Sequence, residues 1–179
     1  MANGNAGANN TATGAYALQN NTANNNTAYG YYALKTNTTG TPNDAFGYQA
    51  LYSNTTGTNN TAIGYQSLQS NTIGISNAAL GYAALNANVS GNSNTGMGNL
   101  ALFKNTASNN TAVGNQALVN NTTGTPNSAF GYQALYNNTT GTYNTGIGYQ
   151  SLYANTTGTN NVAVGAGALP TNSTGRWNT

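Results

Sequence analysis

Large apolar side chains in this chain come in pairs five residues apart, and the pairs recur every 16 or 17 residues. The second member is always leucine: Leu18, Leu34, Leu51, Leu68, Leu85, Leu102, Leu118, Leu135, Leu152 and Leu169. The first member is Thr13 in the first copy. It is then apolar throughout: Tyr29, Phe46, Ile63, Leu80, Met97, Val113, Phe130, Ile147 and Val164. A glycine follows it directly, from Gly14 to Gly165, and serves as position 0 of the unit. Asparagine stands four residues before each glycine, at Asn10, Asn26, Asn43, Asn60, Asn77, Asn94, Asn110, Asn127, Asn144 and Asn161. A second asparagine stands seven residues after it, from Asn21 to Asn172. Positions −2 and +3 are always Ala, Gly or Ser. The unit reads N-T-A-Φ-G-Y-Q-A-L-x-x-N-T-T-G-T-x, with Φ apolar. Ten copies of one pattern in register call for a regular array and not for a disordered polar tract.

A unit this short, rich in Asn, Gly and Thr, disfavours helix. Two strands of about five residues joined by two turns fit it, one over Thr-Ala-Φ-Gly-Tyr and one over Ala-Leu-x-x-Asn-Thr. The predicted fold is all-β: a parallel β-solenoid or β-roll of about ten coils, stacked ~4.8 Å apart into a rod of roughly 50 Å. Stacking turns each column into a ladder. The Asn column supplies amide-to-amide hydrogen bonds, each worth ~1 kcal/mol net. The Φ and Leu columns are expected to form a thin core, at roughly 1.5–3 kcal/mol per buried side chain. So thin a core, beside columns of small residues that allow close approach, favours side-by-side association of chains.

Length variation marks one corner. The two 16-residue copies, the first and the sixth, have Asn24 and Ser108 at position +10, where the others have glycine. The expectation is a glycine turn at positive φ, with the extra residue between position +10 and the next asparagine. Copies one to five repeat in six to ten at an offset of 84 residues, pairing Pro42 with Pro126 and Phe46 with Phe130. Three regions result: a lead-in over 1–9, the array over 10–175 in two five-coil blocks (10–93 and 94–177), and residues 178–179 beginning a further repeat. The array thus reads as a piece of a longer one.

Composition narrows the chemistry. Charge is confined to Lys35, Lys104, Arg176 and Asp44, and there is no His, Cys or Glu. One carboxylate cannot run the usual glycosidase pair. A Ser nucleophile has no His to activate it, and ligand sets for zinc, iron or calcium are lacking. No enzyme activity, metal or cofactor is therefore expected. Three dispersed cations do not anchor nucleic acid, and no apolar run is long enough to insert in a membrane. Met1 to Asn10 lacks the regions of a signal peptide. Sequons such as Asn37-Thr38-Thr39 and Asn54-Thr55-Thr56 follow from composition, and glycosylation is not expected.

The unit resembles repeats of tail-fibre-type proteins of phages and bacteria. It is also similar to the head repeats of trimeric autotransporter adhesins, through Asn60-Thr61-Ala62-Ile63-Gly64 with Ser67 and Asn161-Val162-Ala163-Val164-Gly165 with Ala168. It departs from the adhesin pattern in its longer unit, its fixed leucine and its Asn-Thr-Thr-Gly half. The resemblance implies a left-handed, trimeric roll in an extracellular, cell-surface or virion fibre, with a glycan or protein receptor. The candidate contact column is the tyrosine at position +1: Tyr31, Tyr48, Tyr65, Tyr82, Tyr132 and Tyr149. Exposed Tyr rows suit such contacts, although the same rings could pack between chains. Two further readings are an ice-binding Thr ladder, from Thr-Gly-Thr at 39–41, 56–58, 123–125, 140–142 and 157–159, and a self-assembling filament built by end-to-end stacking.

Overall fold

The computed structural model describes residues 7–179; most of the lead-in over 1–9 lies outside them. Those residues form an all-β solenoid with one short strand per coil: β1 (Thr11–Thr13), β2 (Asn26–Tyr29), β3 (Asn43–Phe46), β4 (Asn60–Ile63), β5 (Ala78–Leu80), β6 (Thr95–Met97), β7 (Asn110–Val113), β8 (Asn127–Phe130), β9 (Asn144–Ile147) and β10 (Val162–Val164). They make one parallel sheet in sequence order. Register follows the repeat, with Asn43 opposite Asn60 and Phe46 opposite Ile63.

The second expected strand does not form. After each strand the chain turns through positions 0 to +5, and three of these residues have positive φ. In the fourth coil they are Gly64 (133°), Gln66 (54°) and Leu68 (48°). Residues of opposite backbone hand therefore alternate: the amides of Gly64 and Gln66 reach the preceding coil, that of Ser67 the Gly64 carbonyl of its own coil, and that of Leu68 the following coil. Gln66 N donates to Tyr48 O in the preceding coil at 2.9 Å, and Leu68 N donates to Ala84 O in the following coil at 3.0 Å. The inter-coil ladder thus continues without an extended strand. A left-handed backbone costs an L-residue about 1–2 kcal/mol, and burial of the leucine side chain offsets it. Leu18 through Leu152 are fully buried, and Leu169 in the last coil is partly so.

The strand alternates inward and outward, and its parity reverses the expected placement of Φ. Asparagine at −4 and Ala or Gly at −2 point inward, while Thr at −3 and Φ at −1 point out. Tyr29, Phe46, Ile63, Leu80, Met97, Phe130, Ile147 and Val164 are all exposed. The core therefore holds one leucine per coil beside small residues and two asparagines, and Φ is no part of it.

The glycine at +10 also departs from expectation. Its φ is not among the positive values. Space dictates it instead: a Cβ on Gly57 would lie 2.4 Å from Asn54 Oδ1 and 2.5 Å from Gly74 O. In the short copies Ala23 and Ala107 take this place, since Asn10 and Asn94 bond their carbonyls as Asn26 bonds that of Gly40. The residue missing from a short copy therefore lies between +7 and +10, and not beyond +10.

Candidate functional site

The asparagine columns are the most completely bonded part of the molecule. At −4, Asn60 Nδ2 donates to Asn43 Oδ1 (3.1 Å) and to Gly74 O (2.8 Å). Its Oδ1 accepts from the backbone N and the Nδ2 of Asn77, at 3.0 and 3.1 Å. The same bonds link Asn26 with Asn43, Asn77 with Asn94, Asn127 with Asn144, and Asn144 with Asn161. The column at +7 forms a second ladder, with Asn54 Nδ2 on Asn37 Oδ1 and Asn71 Nδ2 on Asn54 Oδ1, both at 2.8 Å. The sequence shows this second column but does not by itself assign it a role. Its constancy in all ten copies was the available clue. Asn37 and Asn54, the sequon asparagines, are fully buried with Nδ2 donating, so the folded chain offers no acceptor amide there.

The second ladder is interrupted where the two blocks meet. Asn105 lies in a short turn and donates to Ala107 O, not to Asn88. Asn88 Oδ1 is consequently a buried acceptor without a partner. The backbone series at +8 breaks at the same step: Thr72 N donates to Val89 O, and Val89 N has no counterpart.

Outside, two columns flank the glycine corner. One is the exposed Φ column. The other is tyrosine at +1, also exposed in all six predicted copies. Its rings stack on one another: Tyr31 on Tyr48 (5.7 Å between centroids), Tyr48 on Tyr65 (4.9 Å), Tyr65 on Tyr82 (5.3 Å) and Tyr132 on Tyr149 (5.4 Å), all within 12° of parallel. Tyr48 and Tyr65, inside the first run, therefore show edges and hydroxyls to solvent, with their faces occupied. Near the start of the array Tyr31 also meets Tyr32 at 3.9 Å, and its hydrogen bond to the Tyr32 side chain pushes its phenol up to about 12. Lys35 Nζ sits over the Tyr32 ring at 4.4 Å, a cation–π contact. Lys104 bonds Asn120 Oδ1, and Asp44 and Arg176 are exposed.

Thr-Gly-Thr segments fall in bends and not in strands. Beside them the hydroxyls at +8 are taken internally, Thr38 Oγ1 donating to Thr55 O and Thr139 Oγ1 to Thr156 O. Thr41 and Thr125 likewise donate to the carbonyls of Asn24 and Ser108. Among the described residues no group of His, Cys, Asp or Glu could hold a metal ion, and no helix is long and apolar enough to cross a membrane. The structure thus brings together a bonded interior and two exposed columns, one apolar and one aromatic. No family model, no curated protein and no solved structure matches the chain.

Proposed function

We propose that this chain is a rigid segment of an extracellular, cell-surface or virion fibre, a stalk or head that mediates surface attachment and carries no enzymatic activity. The observation that carries the reading is the exposed Φ column, an uncharged apolar stripe from Tyr29 to Val164 along one sheet face. Soluble monomers rarely leave contiguous apolar patches uncovered. Here the stripe is continuous because every coil adds one side chain to it. Its occupant is a second copy of the same chain, whose stripe has the same pitch. The repeat's resemblance to fibre and adhesin head repeats favours closure as a trimer. Asp44, the one charge on this face, stands in the neighbouring Thr column and not in the stripe.

On this reading the tyrosine column remains outside and makes the attachment. Tyrosine suits a wet surface because its ring is apolar and its hydroxyl bonds water or a partner. Aliphatic side chains at Φ offer no such hydroxyl. The reading is tested by replacing Phe46, Ile63, Leu80 and Met97 together with threonine, the residue that occupies Φ in the first coil. The expected result is a folded monomer with unchanged β-type circular dichroism. An unchanged mass would overturn the assignment of the stripe.

A further inference from the structure

The stacked tyrosines at +1 are phenols held against phenols at the pitch of the coils. Tyr48 lies 4.9 Å from Tyr65, Tyr65 lies 5.3 Å from Tyr82, and Tyr132 lies 5.4 Å from Tyr149, each pair nearly parallel. Backbone bonds fix this register. The carbonyls of Tyr48, Tyr65 and Tyr132 accept from Gln66 N, Ala83 N and Gln150 N of the following coil, at 2.8–2.9 Å. The rungs are exposed, so a reagent in solvent reaches them. Successive rings therefore present the carbons ortho to their hydroxyls to one another. A quarter-turn of both rings about the Cβ–Cγ bond sets those ortho edges side by side.

Other exposed tyrosines lack this arrangement. Tyr29 stacks on Phe46, which has no phenol. Tyr143, at 63% more exposed than any rung, has Pro126 and Asn160 at its position in the adjacent coils. Asn99 and Asn115 separate Tyr82 from Tyr132. The chain has no Cys, so no disulfide can tie one coil to the next.

We propose that the tyrosine ladder is a site of oxidative cross-linking, at which dityrosine bonds staple adjacent coils. The co-reactant is a peroxide, used through a one-electron oxidant such as a haem peroxidase. Each phenol gives up one electron and its hydroxyl proton. The two phenoxyl radicals then pair their electrons in a carbon–carbon bond between ortho carbons. Each ring regains aromaticity as its ortho hydrogen leaves as a proton and its oxygen takes one up. The pair has lost two electrons and two protons, which turn one hydrogen peroxide into two waters. Rings held as neighbours couple at an effective concentration far above that of another chain in dilute solution. The resulting link, between residues 17 apart, restricts the unfolded chain as other cross-links do. The extracellular reading given above enters only as the source of oxidant, and the test supplies its own.

The test treats the dilute purified chain with a haem peroxidase and hydrogen peroxide. Dityrosine fluorescence should rise, and each link should remove the mass of two hydrogen atoms. Denatured chains should keep the size of a single chain. Peptide mapping should join Tyr48 to Tyr65, Tyr65 to Tyr82 and Tyr132 to Tyr149, and the treated chain should unfold at higher urea. Tyr65→Phe keeps a ring in the stack. It should abolish the first two links and leave the yield of Tyr132–Tyr149 unchanged. The cross-linking site is overturned if no dityrosine forms, if the links join chains instead of coils, or if Tyr143 couples as readily as the rungs. An unchanged urea midpoint in a chain with mapped links would overturn the stapling. None of these readouts depends on how many chains the native assembly holds, so this proposal and the fibre reading can fail separately.

Discussion

Leu68 and Ile63 are both large and aliphatic, five residues apart in one coil, yet the fold treats them oppositely. Leu68 is fully buried and Ile63 is 40% exposed. Replacing Leu85, the equivalent of Leu68 in the next coil, by alanine should destabilise the chain by about 2–5 kcal/mol in a urea titration. Ile63→Ala should change the stability of the isolated fold by less than about 1 kcal/mol and weaken association instead. Polar residues carry comparable weight. Asn60→Ala would remove two donated bonds and leave the backbone N and Nδ2 of Asn77 without their acceptor. Since each unsatisfied buried group costs about 1–3 kcal/mol, the loss should reach about 3 kcal/mol or more in the same assay. Tyr31 gives a pH signature. Its pKa is raised above the ordinary 10.0 to about 12, chiefly by the hydrogen bond to Tyr32. The neutral phenol is thus favoured in the folded state, and the stability it contributes is present below pH 10 and lost between about 10 and 12. Ultraviolet titration should show the Tyr31 phenol ionising late, and earlier in Tyr32→Phe.

Within the coil, the sequence made the repeat, the parallel stacking, the asparagine ladder and the leucine core legible, because each is a constant column. It did not reveal which face Φ occupies. An apolar residue beside a polar one is ordinarily assigned to the interior, and here the interior column is Asn60 with Ala62, which forces Ile63 outward. The key was polar residues as core, a choice composition alone hides. Nor was the half-coil from Gly64 to Leu68 legible, because leucine and glutamine do not advertise positive φ. Likewise Gly57 is fixed by crowding from Asn54 and Gly74, an inter-coil fact invisible in one unit. Gly57→Ala should therefore destabilise the fold although its φ is ordinary, and the loss should appear as a lower denaturation midpoint. The candidate tyrosines are legible as a column, but their stacking needs coordinates. Where the fifth and sixth coils meet, the second asparagine ladder and the backbone series at +8 both break. Hydrogen exchange should find amides between Asn88 and Asn105 less protected than their counterparts between Asn54 and Asn71.

At the scale of the molecule, the scarcity of charge follows from stacking. A charge repeated in one column would face its own copy ~4.8 Å away, where like charges repel, while asparagine at the same place bonds its neighbour. The same one-dimensional logic that makes the interior a ladder makes the exterior a set of stripes, and the apolar stripe at Φ is what remains to be covered. The central claim is that copies of this chain cover it for one another. Sedimentation equilibrium of the purified chain tests that claim most directly. The account predicts a single species of three times the 18.2 kDa chain mass, dissociating to folded monomers when Phe46, Ile63, Leu80 and Met97 are replaced by threonine. A parent chain that stays monomeric across the concentration range, with its stripe intact and exposed, would contradict it.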